Sequence, residues 1–177
     1  EASVKTLENR GPDSFGFYYD NKIAFGHTRL KIIDTTSAAS QPFTDPSGRY
    51  TIIYNGEFYN YKEIRNSLEK KGVKFISNSD TEVLLHLYIL EKENCFEKIN
   101  GFFSFAIYDK EEQTVFIARD RMGIKPLFFL SDAEKFIFGS EMKSIMAFEV
   151  SRPMDKVSLL MYLQLNYIPA PHSIFTN

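Results

Sequence analysis

The chain has 177 residues, 44% of them hydrophobic, with 17 Phe, 10 Tyr and no Trp; this suffices for one domain, or one domain plus the opening of another, burying roughly 70% of the unfolded surface without disulfide or metal staples. Lys and Arg total 21 against 23 Asp and Glu, a net charge of −2, which argues against nucleic acid or an anionic membrane as the main partner. A single Cys excludes an internal disulfide framework and fits a reducing cytoplasm; no apolar run approaches the roughly 20 residues of a membrane span, and Glu1–Leu7 lacks the pattern of a signal peptide.

Val4 and Leu7 among charged neighbours read as the last turns of a helix, stopped by Arg10-Gly11-Pro12. Phe15–Tyr19 and Lys22–Phe25 flank Asp20-Asn21 as a hairpin. A loop rich in Ser, Thr, Asp and Pro spans 35–48. Arg49–Tyr54 is a strand expected to end at Asn55-Gly56. Tyr61, Ile64 and Leu68 then recur at helical spacing as far as Lys71, and Gly72 stands where a helix cap wants a positive φ. Val73–Ile76 reads as a short strand. Ser79-Asp80-Thr81-Glu82 has the spacing of a capping box, and the helix behind it carries Val83, Leu84, Leu87, Tyr88 and Leu90 on one deeply buried side. A short helix around Phe96 and Ile99 precedes Gly101.

Strands dominate the next stretch. Phe102–Tyr108 is apolar on both faces and so expects cover on both. Thr114–Ala118, Pro126–Leu130 and Phe136–Phe138 follow, the last two joined by a turn at Asp132–Lys135. Met142, Ile145 and Met146 begin another helix. The character changes at Ser151-Arg152-Pro153, after which Leu159, Leu160 and Leu163 form an amphipathic helix and Ile168–Pro171 is extended. Strands linked by hairpins, with helices between, give an α+β class; the apolar faces suggest two stacked sheets with helices outside. Residues 1–150 read as one domain and 151–177 as the opening of a second.

Taken one at a time, the polar candidates have bland explanations. His27, His86 and His172 lie far apart with no metal-ligand spacing, and no phosphate-cradling glycine loop occurs. Cys95 beside Phe96 reads as a packing residue. Asn55-Gly56 suits a turn or a pair of N–H donors. Asp80 suits a helix start or a site for a cation. Arg29 suits an ion pair with Asp34 or a ligand anion. His27 reads as a hydrogen-bonded structural residue, and Arg119-Asp120-Arg121 as a charge network.

Their order along the chain is more informative. Arg10-Gly-Pro-Asp13, Gly26-His-Thr-Arg-Leu-Lys-Ile-Ile-Asp34, Gln41-Pro42, Tyr54-Asn-Gly-Glu57, Ser79-Asp-Thr-Glu82, Gly101–Asp109, Arg119-Asp120 and Lys125-Pro-Leu127 succeed one another over nearly the whole length. In this the chain resembles the class II glutamine amidotransferases, and among them the glutamine-hydrolysing asparagine synthetases. The sugar-phosphate branch looks more like RGYDSAG and HTRWAT where this chain has Arg10–Gly16 and His27–Ile32.

The resemblance implies the four-layer αββα sandwich of N-terminal-nucleophile hydrolases, with two mainly antiparallel sheets between helices. It implies glutamine as substrate and no metal in this domain. Asn55 and Gly56 would form the oxyanion hole, Arg29 would take the α-carboxylate, and Asp80 the α-ammonium with Glu57 nearby. The backbone of Leu30, Lys31, Ile32 and Ile33 would line the pocket. The family's nucleophile is a Cys at the mature N-terminus, whereas no Cys precedes Cys95 here. The expectation is therefore a nucleophile segment missing ahead of residue 1. ATP and Mg belong, by the same resemblance, to a synthetase domain beyond Asn177 that would amidate aspartate in the cytoplasm. Homodimer assembly, another ammonia acceptor, and a catalytically dead glutamine-binding module stay open.

Overall fold

The computed structural model describes residues 1–176. Its central sheet is antiparallel, in the order β3 (Phe43–Thr44), β4 (Tyr50–Phe58), β5 (Gly101–Asp109) and β6 (Thr114–Arg119). β4 and β5 pair along their full length, from Tyr50 opposite Asp109 to Phe58 opposite Gly101. Alternation then sorts their side chains. Tyr50, Ile52, Tyr54 and Phe58 share one face with Phe103, Phe105 and Ile107, and this face packs beneath α2 (Tyr61–Lys70) and α3 (Asp80–Glu91). On the opposite face Ile53, Ala106, Tyr108 and Ile117 meet Phe25. The expectation that β5 is covered on both sides holds.

The second sheet layer is two separate hairpins. β1 (Ser14–Tyr19) pairs with β2 (Ala24–Arg29), and β7 (Phe128–Ser131) with β8 (Phe136–Gly139); neither hairpin joins the other or the central sheet. Two short helices cover their outer faces, α1 (Ala2–Lys5) on β2 and α4 (Met142–Met146) on β7 and β8. The approach is close at two glycines. A Cβ on Gly26 would stand 2.2 Å from Val4 Cγ2, and one on Gly139 2.2 Å from Ser144 Oγ. The order of layers is thus helix, sheet, paired hairpins, helix, as the αββα expectation requires. Beyond Val150, α5 (Lys156–Leu165) is capped by Asp155, which accepts the Val157 N–H at 2.8 Å. Leu160 and Leu163, expected on its apolar side, are both exposed.

Three local expectations are corrected. Asn55-Gly56 does not end β4, which continues to Phe58 before α2 begins at Tyr61. Val73–Ile76 is no strand: Val73 and Phe75 alternate because both pack against the core on the helical side. α3 buries Val83, Leu84 and Leu85 in succession, so it is enclosed on several sides and not amphipathic.

The capping box is half present. Ser79 Oγ accepts the Glu82 N–H at 3.3 Å, but Glu82 does not return the bond. Its fully buried carboxylate accepts the N–H of Ile76 at 2.9 Å, the N–H of Ser77 at 2.7 Å and the Ser77 hydroxyl at 2.6 Å. Burial works to raise its pKa, yet the neighbouring His86, Ser77 and Ile76 groups outweigh burial and hold it below the ordinary value. Glu82 therefore fastens the 76–79 loop to α3. Hydrogen bonds to charged groups are worth about 1.5–3 kcal/mol each, so Glu82→Ala should destabilise the domain by about 3 kcal/mol in denaturant titration. Because the folded pKa is depressed, this stabilisation is full above the pKa of an unfolded Glu and fades as pH falls through the folded value. The variant and the parent should converge in acid; a constant gap across pH would rule out the ionised carboxylate as the cause.

Candidate active site

Between the two hairpins lies a cavity of about 830 Å³. Its floor is the hairpin-side face of the central sheet, with Ile53, Asn55 and Glu57 of β4 and Ser104 and Ala106 of β5. β2 and β8 flank it, and α1 and α4 contribute Val4 and Ser144. Of the residues singled out from the sequence, Arg29, Leu30, Ile32, Ile33, Asn55, Gly56, Glu57 and Asp80 all line this one cavity. Lys31 does not: it is exposed, and its N–H donates to the Asp13 carboxylate at 2.7 Å.

The β4 edge decides which backbone groups are free. Phe103 spends both main-chain groups on Asp120, its N–H donating to Asp120 Oδ2 at 3.3 Å and its C=O accepting the Asp120 N–H at 2.8 Å. Gly56, directly opposite Phe103, therefore points its own N–H and C=O away from β5. β3 has already stopped at Phe43, opposite Ile52. On this uncovered stretch of edge the Tyr54 N–H donates to Gln41 Oε1 at 2.6 Å, and the Phe58 N–H to Asp80 Oδ2 at 3.2 Å. The Gly56 N–H stands open between them. No other residue fits there, since a Cβ on Gly56 would lie 2.4 Å from the Phe102 carbonyl oxygen and 2.8 Å from Tyr54 Cε2.

Asn55 supplies a second donor. Its Nδ2 is buried and has no hydrogen-bond partner among the described residues. A buried donor left unmade costs about 1–3 kcal/mol, so such a group asks for an occupant. His27 Nδ1, on another cavity residue, is in the same condition among the described residues, whereas the Tyr54 ring lies on the helical face of the sheet with its hydroxyl towards Asp80.

Charge is arranged around these donors. Arg29 is buried, and its guanidinium donates to the carbonyls of Thr36 at 3.0 Å, Ile33 at 3.4 Å and Asp34. It does not pair with the Asp34 carboxylate. That group instead accepts the Thr36 hydroxyl at 2.6 Å, the Thr36 N–H at 3.0 Å and the Asn78 N–H at 2.6 Å, and these donors hold its pKa down. The Arg29 Nε–H and one Nη1 hydrogen have no hydrogen-bond partner among the described residues. Asp80 opens α3 and is pushed towards its neutral form by burial, against the opposing hydrogen bond from Phe58. Arg119-Asp120 is no mutual charge pair either. Asp120 accepts the N–H groups of Ile124 and Lys125 as well as Phe103, while Arg119 donates to the carbonyls of Gly123 and Lys125. The loop they shape brings Lys125 to the cavity, its ammonium 4.7 Å from the centre of the Phe102 ring. Sequence reasoning gave no role to Lys125 or Gln41, because neither spacing nor residue type marks a side chain whose partners lie across the fold.

From end to end, residues 1–177 match the protein family described as glutamine amidotransferase domain. The chain is a glutamine amidotransferase domain. Asparagine synthetase [glutamine-hydrolyzing] 3 of Bacillus subtilis (strain 168) is 42% identical over 157 residues, covering 87% of this chain and 25% of that protein. Asparagine synthetase [glutamine-hydrolyzing] 1 of the same organism is 41% identical over 168 residues, covering 95% and 26%. The amidotransferase domain thus spans about a quarter of the length of these relatives. Among solved structures, the glutamine phosphoribosylpyrophosphate amidotransferase from B. subtilis aligns with a TM-score of 0.69 over 82% of this chain and 39% of that one. At 21% identity this is a likeness of fold, and it agrees with the four layers seen in the amidotransferase domain.

Proposed function

We propose that this domain hydrolyses the side-chain amide of glutamine to glutamate and ammonia, with Asn55 Nδ2 and the Gly56 N–H holding the oxyanion. Arg29 takes the substrate carboxylate and Asp80, with Glu57 nearby, the substrate ammonium. A cation and an anion in one cavity select a free amino acid, and the two donors read its amide. The observation that carries this reading is the pairing of an unsatisfied buried amide with the open N–H of the next residue. Donors aimed at charge that develops only in the transition state are the largest single contributor to acyl-transfer catalysis.

The nucleophile in this proposal is a Cys on a segment ahead of Glu1. The cavity is far larger than one amino acid needs, and among the described residues no strand lies between β2 and β8, which border it. An extended segment fits that gap. Cys95 cannot stand in. It is fully buried in the core on the helical face of the sheet, away from the cavity, and burial, then Glu91, pushes its thiol up to about 11. In the whole protein the ammonia would serve ATP- and Mg²⁺-dependent amidation of aspartate in a synthetase domain. That domain, and not this one, would hold the nucleotide and the metal. No helix of the described residues is long and apolar enough to cross a membrane; cytoplasmic residence and homodimer assembly belong to the proposal.

A glutamine-like diazoketone tests it. The full-length protein should be labelled at its N-terminal Cys, whereas residues 1–177 alone should hydrolyse no glutamine and stay unlabelled at Cys95. Glutamine-protected label on Cys95, located by peptide mass spectrometry, would sink the reading.

Asp80 adds a pH dependence. Capture of an ammonium needs the carboxylate, and burial raises the Asp80 pKa. The KM for glutamine in the full-length protein should therefore rise as pH falls through that raised value, before an exposed carboxyl would titrate. Asp80→Asn should raise KM throughout and flatten this limb. A parent KM that stays constant into mild acid would remove Asp80 from the substrate.

A further inference from the structure

Tyr54 is the residue before Asn55, and it sits where β4 has lost its neighbouring strand. Its two main-chain groups are nevertheless both engaged, by side chains. Gln41 Oε1 accepts the N–H at 2.6 Å, and His27 Nε2 lies 3.1 Å from the carbonyl oxygen. A carbonyl can only accept, so His27 carries its proton on Nε2. The ring is neutral in solution near neutrality, because burial, with help from the Arg29 charge and against the Tyr54 hydrogen bond, lowers its pKa to about 4. The far end of Gln41 donates from Nε2 to Thr81 Oγ1 at 3.3 Å, beside Asp80 in the first turn of α3.

The register shows what this arrangement avoids. Phe43 faces Ile52 and Thr44 faces Thr51, so a longer β3 would bring residue 41 opposite Tyr54 and residue 39 opposite Gly56. Residue 39 would then place a main-chain carbonyl on the Gly56 N–H and quench it. The chain instead turns aside at Ser37–Ala39, and only the side chain of Gln41 returns to the sheet.

We propose that Gln41 and His27 are positioning residues for amide hydrolysis: together they form a side-chain rung of the β-ladder at Tyr54 that aims Asn55 while leaving the Gly56 N–H open. The peptide group is planar, so holding the Tyr54 oxygen on one side fixes the orientation of the Asn55 nitrogen on the other, where Asn55 faces Ser104 of β5. The Asn55 side chain leaves the sheet from this fixed plane. The inference rests on the oxyanion role proposed above for Asn55 and Gly56.

The test uses the full-length protein and two readouts. Gln41→Met fills the same volume without either polar atom, and His27→Ala removes the donor; His27→Gln restores an N–H at similar reach. A donor displaced by about 1 Å can cost about 10² in rate. Gln41→Met and His27→Ala should therefore lower kcat by about tenfold to a hundredfold with little change in the KM for glutamine, and His27→Gln should recover most of the loss. Amide hydrogen exchange, which needs no activity, should quicken at Tyr54 in Gln41→Met while Ile52 stays protected. Unchanged kcat despite faster exchange at Tyr54 would overturn the positioning role. So would a loss of kcat and substrate binding together with a general fall in melting temperature, the mark of a merely structural contact. Slow exchange at Tyr54 in Gln41→Met would overturn the rung itself. If the unaltered full-length protein hydrolyses no glutamine, the functional reading fails first, and this inference falls with it.

Discussion

Asn55→Ala in the full-length protein will lower the kcat of glutamine hydrolysis by about 10²–10³ and leave the KM for glutamine nearly unchanged. The asymmetry follows from the geometry. Asn55 Nδ2 has no hydrogen-bond partner among the described residues, so the ground state loses no partner there when it is removed. On the proposed role, what is lost is a donor to an oxygen that becomes charged only during attack. The same reasoning gives a sign for stability. Deleting an unsatisfied buried donor relieves a penalty, so the melting temperature should hold or rise. A variant with near-normal kcat would reduce Asn55 to a strand residue. A variant that melts early would show that Nδ2 serves the fold.

Arg29→Ala will raise the KM for glutamine roughly tenfold or more, the loss of a charge-assisted hydrogen bond worth about 1.5–3 kcal/mol. On the proposed function, synthesis driven by added ammonia should persist in the full-length protein, since ammonia would bypass this cavity. Unlike Asn55, Arg29 also serves the fold, by tying together the carbonyls of Ile33, Asp34 and Thr36. The melting temperature should therefore fall as well. Arg29→Lys separates the two roles, because a point charge keeps part of the attraction for a carboxylate but cannot span three carbonyls. It should recover more of the KM than of the stability. Equal loss of glutamine- and ammonia-driven activity would assign Arg29 to the fold alone.

The contrast between Asn55 and Arg29 shows where sequence reasoning succeeds and where it stops. Apolar spacing placed α2, because that spacing is set by which face meets the core; the Asp20-Asn21 turn placed the hairpin of β1 and β2, and the Ser79–Glu82 capping spacing placed the start of α3. Such reasoning placed the end of β4 too early, because Asn-Gly is a strong turn signal and the competing force is not local. Asn55 and Gly56 remain in the strand because β5 offers Ser104 opposite Asn55 and the register runs on to Phe58 opposite Gly101. The pair of donors was legible in the motif; that one is open because β3 stops short was not. Gln41 was visible only as half of a Gln-Pro pair, since its partners at Tyr54 and Thr81 stand 13 and 40 residues away. Val73–Ile76 failed for the opposite reason: alternation without a paired strand makes an extended connection.

The 2.6 Å bond from the Asn78 N–H to the Asp34 carboxylate joins two loops that lie 44 residues apart in the chain. One loop carries Arg29's carbonyl partners; the other leads into Asp80. On the proposed roles, that bond sets the gap between the jaws of a caliper. The opening is fixed before any amino acid arrives, so little ordering remains to be done on binding. A homologue of glutamine with an extra methylene between its carboxylate and ammonium would meet both jaws at the wrong span. It would be turned away by length, with no clash at its side chain.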